Sequence, residues 1–183
     1  MVQLAEKLDV SSEAYKAGYK TICDIGKDRI RRAGSKIKEE APLTTNQLDV
    51  GFRVLKCDSS NMKEVYYNPA EMEISLLSDL TDNIEEDRTA EDLLFQVMLD
   101  LGILLSSKIE ETIIAGKTVY SVGGNNLIAC FDQEVAEETI KAIAMRKPYY
   151  FVMRDSSMAN DSVATNFEQI FATYSPETVR KVL

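Results

Sequence analysis

The densest cluster of side chains able to bind or react lies near the end of the chain, at Arg154, Asp155, Ser156, Ser157, Asn160 and Asp161. A guanidinium, two carboxylates, two hydroxyls and an amide sit together directly after an apolar run, Tyr149–Met153. In open α/β sheets ligands bind beyond the carboxyl ends of the strands, so this Arg154–Asp161 loop is the natural edge of a small-molecule pocket. The same residues also make an ordinary loop and helix cap, which is the more economical reading because Ser, Asn and Asp at a helix start need no ligand.

Other chemistries are bounded by composition. The sequence has no His, which removes the usual Ser/His/Asp and Cys/His nucleophiles, HExxH zinc sites and any imidazole proton shuttle. It has no Trp either, so the strongest stacking platform is missing. Cys23, Cys57 and Cys130 form no CxxC pair, which argues against structural zinc or a disulfide framework and for reduced thiols buried as small side chains. Gly123-Gly124 belongs to neither GxGxxG nor GxxxxGK[ST] and reads as a hairpin turn. Glu85-Glu86 and Glu110-Glu111 lie in polar surroundings and read as solvated surface. No catalytic residue and no metal ligand is assigned.

Charge is divided unevenly. Residues 1–40 carry nine Lys/Arg against seven Asp/Glu, whereas residues 41–183 carry twelve against twenty-three, and the net charge is −9. Between Tyr15 and Lys38 there are eight basic residues and two acidic ones, Asp24 and Asp28. Phosphate binding draws on clustered Lys/Arg, so an acidic chain such as this can touch DNA only locally.

Composition and length frame the elements that must position these residues. With 183 residues, 45% hydrophobic and 28% charged, the chain suits one globular domain, or one plus an appendage. The longest apolar runs, Leu127–Phe131 and Tyr149–Met153, are about a quarter of a bilayer span, and MVQLAEKLD lacks the features of an export signal. The expected location is cytoplasmic, with no membrane partner.

Val2–Leu4 reads as the end of a strand. Ser11 or Ser12 caps an amphipathic helix with apolar positions Tyr15, Tyr19, Ile22, Gly26, Ile30, Ala33 and Ile37 and a basic stripe on another face. The stripe offers contact with DNA phosphates or an acidic neighbour; a solvated helix face is the bland alternative. Ala41–Asp49 has the Pro, Thr and Asn of a linker, dividing the chain into 1–40 and 41–183. Phe52–Cys57 alternates as a strand with Asp58–Asn61 as its turn, and Glu71–Asn83 reads as a short helix. Thr89 and Asp92 form a capping box before Leu93, Leu94, Val97, Met98 and Leu101, ended by Gly102.

Ile109–Ile114, Thr118–Val122 and Leu127–Phe131 are expected to form two hairpins, and Asp132 to cap a helix with Val135, Ala136, Ile140, Ile143 and Ala144 inward. Tyr149–Met153, a helix opened by Asn160 or Asp161, and a strand at Thr178–Leu183 complete the pattern. The fold class is therefore α/β: a mixed sheet with an antiparallel meander followed by β-α-β-α-β, helices on the sheet faces, preceded by a long basic amphipathic helix.

The order of segments carries a further likeness. VQL, SEAYKAGYKTICDIGKDRIRRAG, FRVLKCDSSN, DRTAEDLLFQVMLDLG, GKTVYSVGGNNLIACFD and RDSSMAND together resemble the C-terminal third of the modification subunit of type III restriction-modification systems. That family comprises site-specific DNA adenine N6-methyltransferases using S-adenosylmethionine. The resemblance implies that the FxGxG-type donor loop and the (D/N)PP(Y/F) tetrapeptide, which holds a flipped adenine, precede this segment; neither occurs here, so no methyl transfer is expected of the chain alone.

It further implies that Gln3 marks the strand end that contacts the cofactor ribose, a neutral amide where relatives carry an acidic side chain, and that Ala5 replaces the Pro of the family's VQLPE. Tyr15–Lys38 becomes a crossover helix of the methyltransferase domain, with Lys20, Lys27, Arg31 and Arg32 available to DNA backbone. The segment from Ala41 becomes an assembly domain. The implied partners are a second modification subunit forming a homodimer, the restriction subunit and DNA. Two other readings stand beside this one: a non-catalytic protein-docking α/β scaffold, and a small-molecule sensor using Arg154 and Asp155.

Overall fold

The computed structural model describes residues 3–45, 47–63 and 83–183. The chain divides into two compact units, Met1–Lys56 and Cys57–Leu183. The first carries eleven Lys/Arg against eight Asp/Glu and the second ten against twenty-two.

In the first unit the expected continuous helix from Tyr15 to Lys38 is broken. Helix α1 spans Glu13–Lys16 and α2 spans Ile22–Glu40, with Gly18 between them at φ +98°. The break has a local cause. Thr21 is the N-cap of α2 in a reciprocal capping box: its hydroxyl accepts from Asp24 N–H at 3.3 Å and the Asp24 carboxylate accepts from Thr21 N–H at 3.0 Å. A turn that must reverse out of α1 needs the left-handed conformation that Gly18 supplies without strain. Hydrophobic spacing alone runs straight through this start signal.

Helix α3, Pro42–Thr45, follows at once, and the segment after it returns to α2. A side chain at Gly34 would meet Val50 Cβ at 3.0 Å, and the Arg31 guanidinium lies 5.5 Å from the centre of the Phe52 ring. Residues 41–56 thus pack with the helix that precedes them.

Two strand expectations in this region fail. Of the expected Val2–Leu4 strand end, Val2 lies outside the described residues and Gln3 and Leu4 belong to no strand; among the described residues the ladder contact nearby is the isolated bridge Lys7–Thr21. Residues 52–57 form no strand and all six are exposed, because alternation cannot make a strand without a neighbour to complete its hydrogen bonds. The expected helix at Glu71–Asn83 lies outside the described residues except for Asn83, which is irregular.

The second unit is a mixed α/β fold around a five-stranded mixed sheet. Its elements among the described residues are α4 (Ala90–Asp100), β1 (Ile109–Ile114), β2 (Lys117–Val122), β3 (Leu127–Cys130), α5 (Glu137–Met145), β4 (Tyr150–Met153), a 3-10 turn (Asp155–Ser157), α6 (Asp161–Tyr174) and β5 (Val179–Val182). The spatial order is β1-β2-β3-β4-β5; β1/β2 and β2/β3 pair antiparallel, β3/β4 and β4/β5 parallel.

Because side chains alternate across a strand, each strand feeds two cores. Ile128, Cys130, Phe151 and Met153 pack with Ile140, Ile143 and Ala144 of α5 and Phe167, Ile170 and Phe171 of α6. Leu127, Ala129 and Val152 pack on the other face with Leu93, Leu94, Val97 and Met98 of α4. All four residues of β3 are buried, as a strand covered on both faces requires.

Helix α4 begins with the capping box legible in the sequence. Thr89 Oγ1 accepts from Asp92 N–H at 3.2 Å, and Asp92 Oδ2 accepts from Thr89 N–H at 2.9 Å. Thr89→Ala is expected to cost about 1 kcal/mol, read as a lower urea midpoint with unchanged slope, whereas Thr89→Ser should be nearly neutral. A midpoint unmoved by the Ala substitution would show that the cap contributes nothing.

Asp132 does not cap the following helix. Its carboxylate accepts from Thr118 N–H of β2 at 2.6 Å, and α5 starts five residues later after Ala136, which makes no side-chain cap. The acid thus closes the β2–β3 side of the sheet instead of starting α5. At the other end of the parallel strands, buried Thr178 donates to the Pro148 carbonyl at 2.5 Å and shares a hydrogen bond with Ser175, fastening the α6–β5 corner to the start of β4.

Candidate functional site

The basic residues read from the sequence are gathered on one short stretch of the first unit, and α2 dictates how. Asp24 and Lys27 are one turn apart, and Lys27 Nζ sits 2.9 Å from Asp24 Oδ1. The Lys27 ammonium and the Thr21 hydroxyl hold the Asp24 carboxyl down at about 2. Asp28 and Arg32 form the next pair, with Arg32 Nε 2.7 Å from Asp28 Oδ2.

Tyr19, on the turn before α2, joins that pair. Its hydroxyl donates to the Asp28 carboxylate and accepts from Arg32 at 3.0 Å. The phenol lowers the carboxyl pKa of Asp28, with the Arg32 charge adding to it, while the same bond raises the pKa of Tyr19. This Tyr19–Asp28–Arg32 network was not foreseen: its members lie nine and thirteen residues from Tyr19, and the turn that folds Tyr19 back over α2 comes from the unexpected break.

Two of the four predicted cations, Lys27 and Arg32, are therefore engaged within the unit. Lys20 is exposed, with its backbone carbonyl accepting from Leu8 N–H at 3.0 Å. Arg31 is exposed and stacked over Phe52, a placement that orients the guanidinium and leaves its charge for a partner. Arg29, Lys36 and Lys38 are exposed on the same helix, Lys36 lying 3.6 Å from Glu40. Gln3 is exposed, and its carbonyl accepts from the Cys23 thiol at 3.8 Å. The structure brings Gln3 to the N-terminal turn of α2, two turns from Arg31 and Arg32.

The same helix presents a second kind of surface. Ile22, Ile30 and Ile37 are 36%, 39% and 47% exposed, and Gly34 is the only buried residue of α2. A 19-residue helix with one buried position has not satisfied its apolar stripe within its own unit.

The polar loop after β4 is held by backbone bonds to both of its neighbours. Asp155 N–H donates to the Leu183 carbonyl at 3.0 Å, and Ser157 C=O accepts from Val135 N–H at 2.7 Å. Asn160 caps α6, its side chain accepting from Val163 N–H at 3.0 Å. Ser157 is fully buried, whereas Asp155, Ser156 and Asn160 are exposed. The loop's backbone bonds and the cap account for Asp155 and Asn160, whereas the buried Ser157 Oγ has no hydrogen-bond partner among the described residues.

Gly123 and Gly124, at φ +59° and +72°, turn the chain between β2 and β3. Glu110 is tied to Lys108 at 2.5 Å. Among the described residues no group of three or more Cys, Asp or Glu is placed to hold a metal ion, and no helix is long and apolar enough to cross a membrane. No family model and no curated protein matches the chain.

Proposed function

We propose that the chain is the C-terminal part of a type III site-specific DNA adenine N6-methyltransferase, in which it serves subunit assembly and local DNA backbone contact and is not catalytic by itself. The observation that carries the reading is α2, a helix that leaves Ile22, Ile30 and Ile37 and a surplus of cations exposed together, as a crossover helix built to lie between a sheet and a polyanion would. Arg31 is the residue most suited to a phosphate, because its guanidinium is planar, permanently charged and oriented by Phe52. Arg32 would reach a phosphate only by leaving Asp28, and Lys27 only by leaving Asp24.

In this reading the antiparallel β1–β3 meander and the β-α-β-α-β tail make up the assembly domain, and the partners are a second modification subunit, the restriction subunit and DNA. S-adenosylmethionine belongs to the whole enzyme. Gln3 is proposed as a peripheral contact to its ribose, since its exposed amide can bond a hydroxyl.

Titration of the chain with a short duplex at several salt concentrations tests the backbone contact. Affinity should fall linearly on a log–log plot with salt, and Arg31→Ala should reduce that slope by about 1, with a loss on the order of tenfold at low salt. Arg32→Ala should cost less than Arg31→Ala, because Arg32 is already held by Asp28 and has little of its charge left for a phosphate. Salt-independent binding, or equal affinity for wild type and Arg31→Ala, would overturn direct contact. It would favour the second reading, a protein-docking scaffold, to which the exposed Ile22, Ile30 and Ile37 lend support.

A further inference from the structure

A five-stranded open sheet has two edges, and here they differ. β5 is four residues long, VRKV, with two adjacent cations at its centre. An antiparallel partner strand of the same sequence would bring Arg and Lys of the two copies close together, so β5 is protected by charge and by shortness. β1 is six residues, IEETII, paired with β2 in unbroken register from Ile109–Val122 to Ile114–Lys117. It contains no Lys, Pro, Gly or bulge, and Ile113 is 76% exposed. β1 shares one blocking device, the adjacent carboxylates Glu110 and Glu111, but it is longer and unbroken, so registers that keep those carboxylates apart leave it open.

The hairpin geometry tells which of its groups face outward. A two-residue turn, Ala115-Gly116 at φ +49° and +79°, makes Ile114–Lys117 the hydrogen-bonded closing pair. Every second residue, Thr112 and Glu110, then bonds β2, and the series continues to Lys108, whose carbonyl accepts from Gly123 N–H at 2.9 Å. The backbone N–H and C=O of Ile109, Glu111 and Ile113 therefore point away from the sheet. Among the described residues β1 pairs only with β2.

We infer that β1 is the contact surface for a second copy of this chain, the two β1 strands pairing antiparallel about Thr112 to give one continuous ten-stranded sheet. The register follows from symmetry and charge. A two-fold axis normal to the sheet keeps each side chain on its own face, so the axis must pass through a residue paired with itself. Centring on Glu110 or Glu111 would set carboxylates directly opposite each other, and centring on Ile109 or Ile113 would leave much of β1 facing residues outside the strand.

Centring on Thr112 instead gives a Thr–Thr pair and places Glu111 opposite Ile113 and Glu110 opposite Ile114. Both Glu111–Ile113 pairs then use the outward groups, supplying about four new backbone hydrogen bonds. The two Glu111 side chains become diagonal neighbours, about 7–8 Å apart, where rotation away from each other separates the carboxylates as the directly opposed registers do not allow. The second copy is the occupant because the strand complements itself in this register. The inference rests on the assembly role proposed above and gives that role a surface.

Mass measurement by light scattering over a concentration series tests it on the full chain. Wild type should approach twice 20.5 kDa as concentration rises. Thr112→Lys and Thr112→Glu should each remain monomeric with unchanged circular dichroism, since like charges then face each other across the axis. An equimolar mixture of the two should recover the dimer, which no general loss of folding could produce.

Cys57 is exposed and Cys23 half-buried, against the expectation of buried thiols. As a second readout, Thr112→Cys in a Cys23→Ser, Cys57→Ser background should form a disulfide-linked dimer on mild oxidation, whereas Glu110→Cys in the same background should not. A wild-type mass of one chain at every concentration would overturn the inference, and so would a dimer that Thr112→Lys leaves intact. DNA affinity is measured separately, so the nucleic-acid reading and the edge pairing can fail independently.

Discussion

Phe171→Ala is expected to lower the unfolding free energy of the 57–183 unit by about 3–5 kcal/mol, a large share of the 5–15 kcal/mol typical of a domain. Phe171 is fully buried and stacks on Phe151 at 5.1 Å between ring centres, with Phe167 tilted against it at 5.3 Å. Phe151 belongs to β4 and the other two rings to α6, so these three side chains hold the helix to the parallel half of the sheet. Truncation opens a ring-sized cavity between two regular elements that have no loop free to collapse into it, and it also removes two aromatic pairs worth about 0.5–1.5 kcal/mol each.

The Arg180 guanidinium, 5.9 Å from the Phe171 ring and paired with Glu168 at 2.9 Å, would lose the surface it lies on. Urea denaturation followed by circular dichroism gives the comparison. Phe171→Leu should recover much of the loss, and Phe52→Ala, at a ring 36% exposed, should cost far less. A midpoint for Phe171→Ala within experimental error of wild type would mean that α6 is not held by this cluster.

The second large effect is on pH. Burial within β3 pushes the Cys130 thiol up to about 11. The folded state thus keeps its proton to higher pH than the unfolded chain, in which a cysteine titrates near 8.5. A group whose folded pKa is raised contributes its full stabilisation below the unfolded value and loses it as pH climbs to the folded value. Stability should accordingly decline from about pH 8.5 towards pH 11, by about 3 kcal/mol in total if Cys130 acts alone.

Tyr120 adds to the same trend at the upper end, since burial raises its pKa as well. Cys130→Ala separates the two: urea midpoints at pH 7.5 and 9.5 should differ for wild type and nearly coincide for the variant, compared under reducing conditions. Parallel pH dependence in the two proteins would remove Cys130 as the cause.

Much of the second unit was legible because its signals are local. Thr89 and Asp92 announce α4 by a reciprocal bond that spans only three residues, and Asn160 announces α6 by a one-way cap to Val163 N–H over the same span. Leu127–Cys130 and Tyr150–Met153 are apolar on both faces, which is what a strand between two helical layers demands. Asp132 misled because an acid before an apolar helix has two possible customers for its carboxylate. The choice of Thr118 depends on a neighbouring strand, which no count along the chain supplies. Phe52–Cys57 misled for the opposite reason, since it has the alternation of a strand and pairs with no strand among the described residues.

By itself the sequence determined the chemical limits of this protein: no imidazole, no metal-binding cysteine pair, an acidic body and a cationic helix, together with the period and caps of the longer elements. These are properties of residue type and near neighbours, and they survive any arrangement of the chain. Tertiary structure alone decided which cations stay available, because Lys27 and Arg32 are drawn to carboxylates while Arg31 is lifted onto a ring. It also decided which edge of the sheet is left open, because a strand is an edge only when the sheet's order places nothing beyond it.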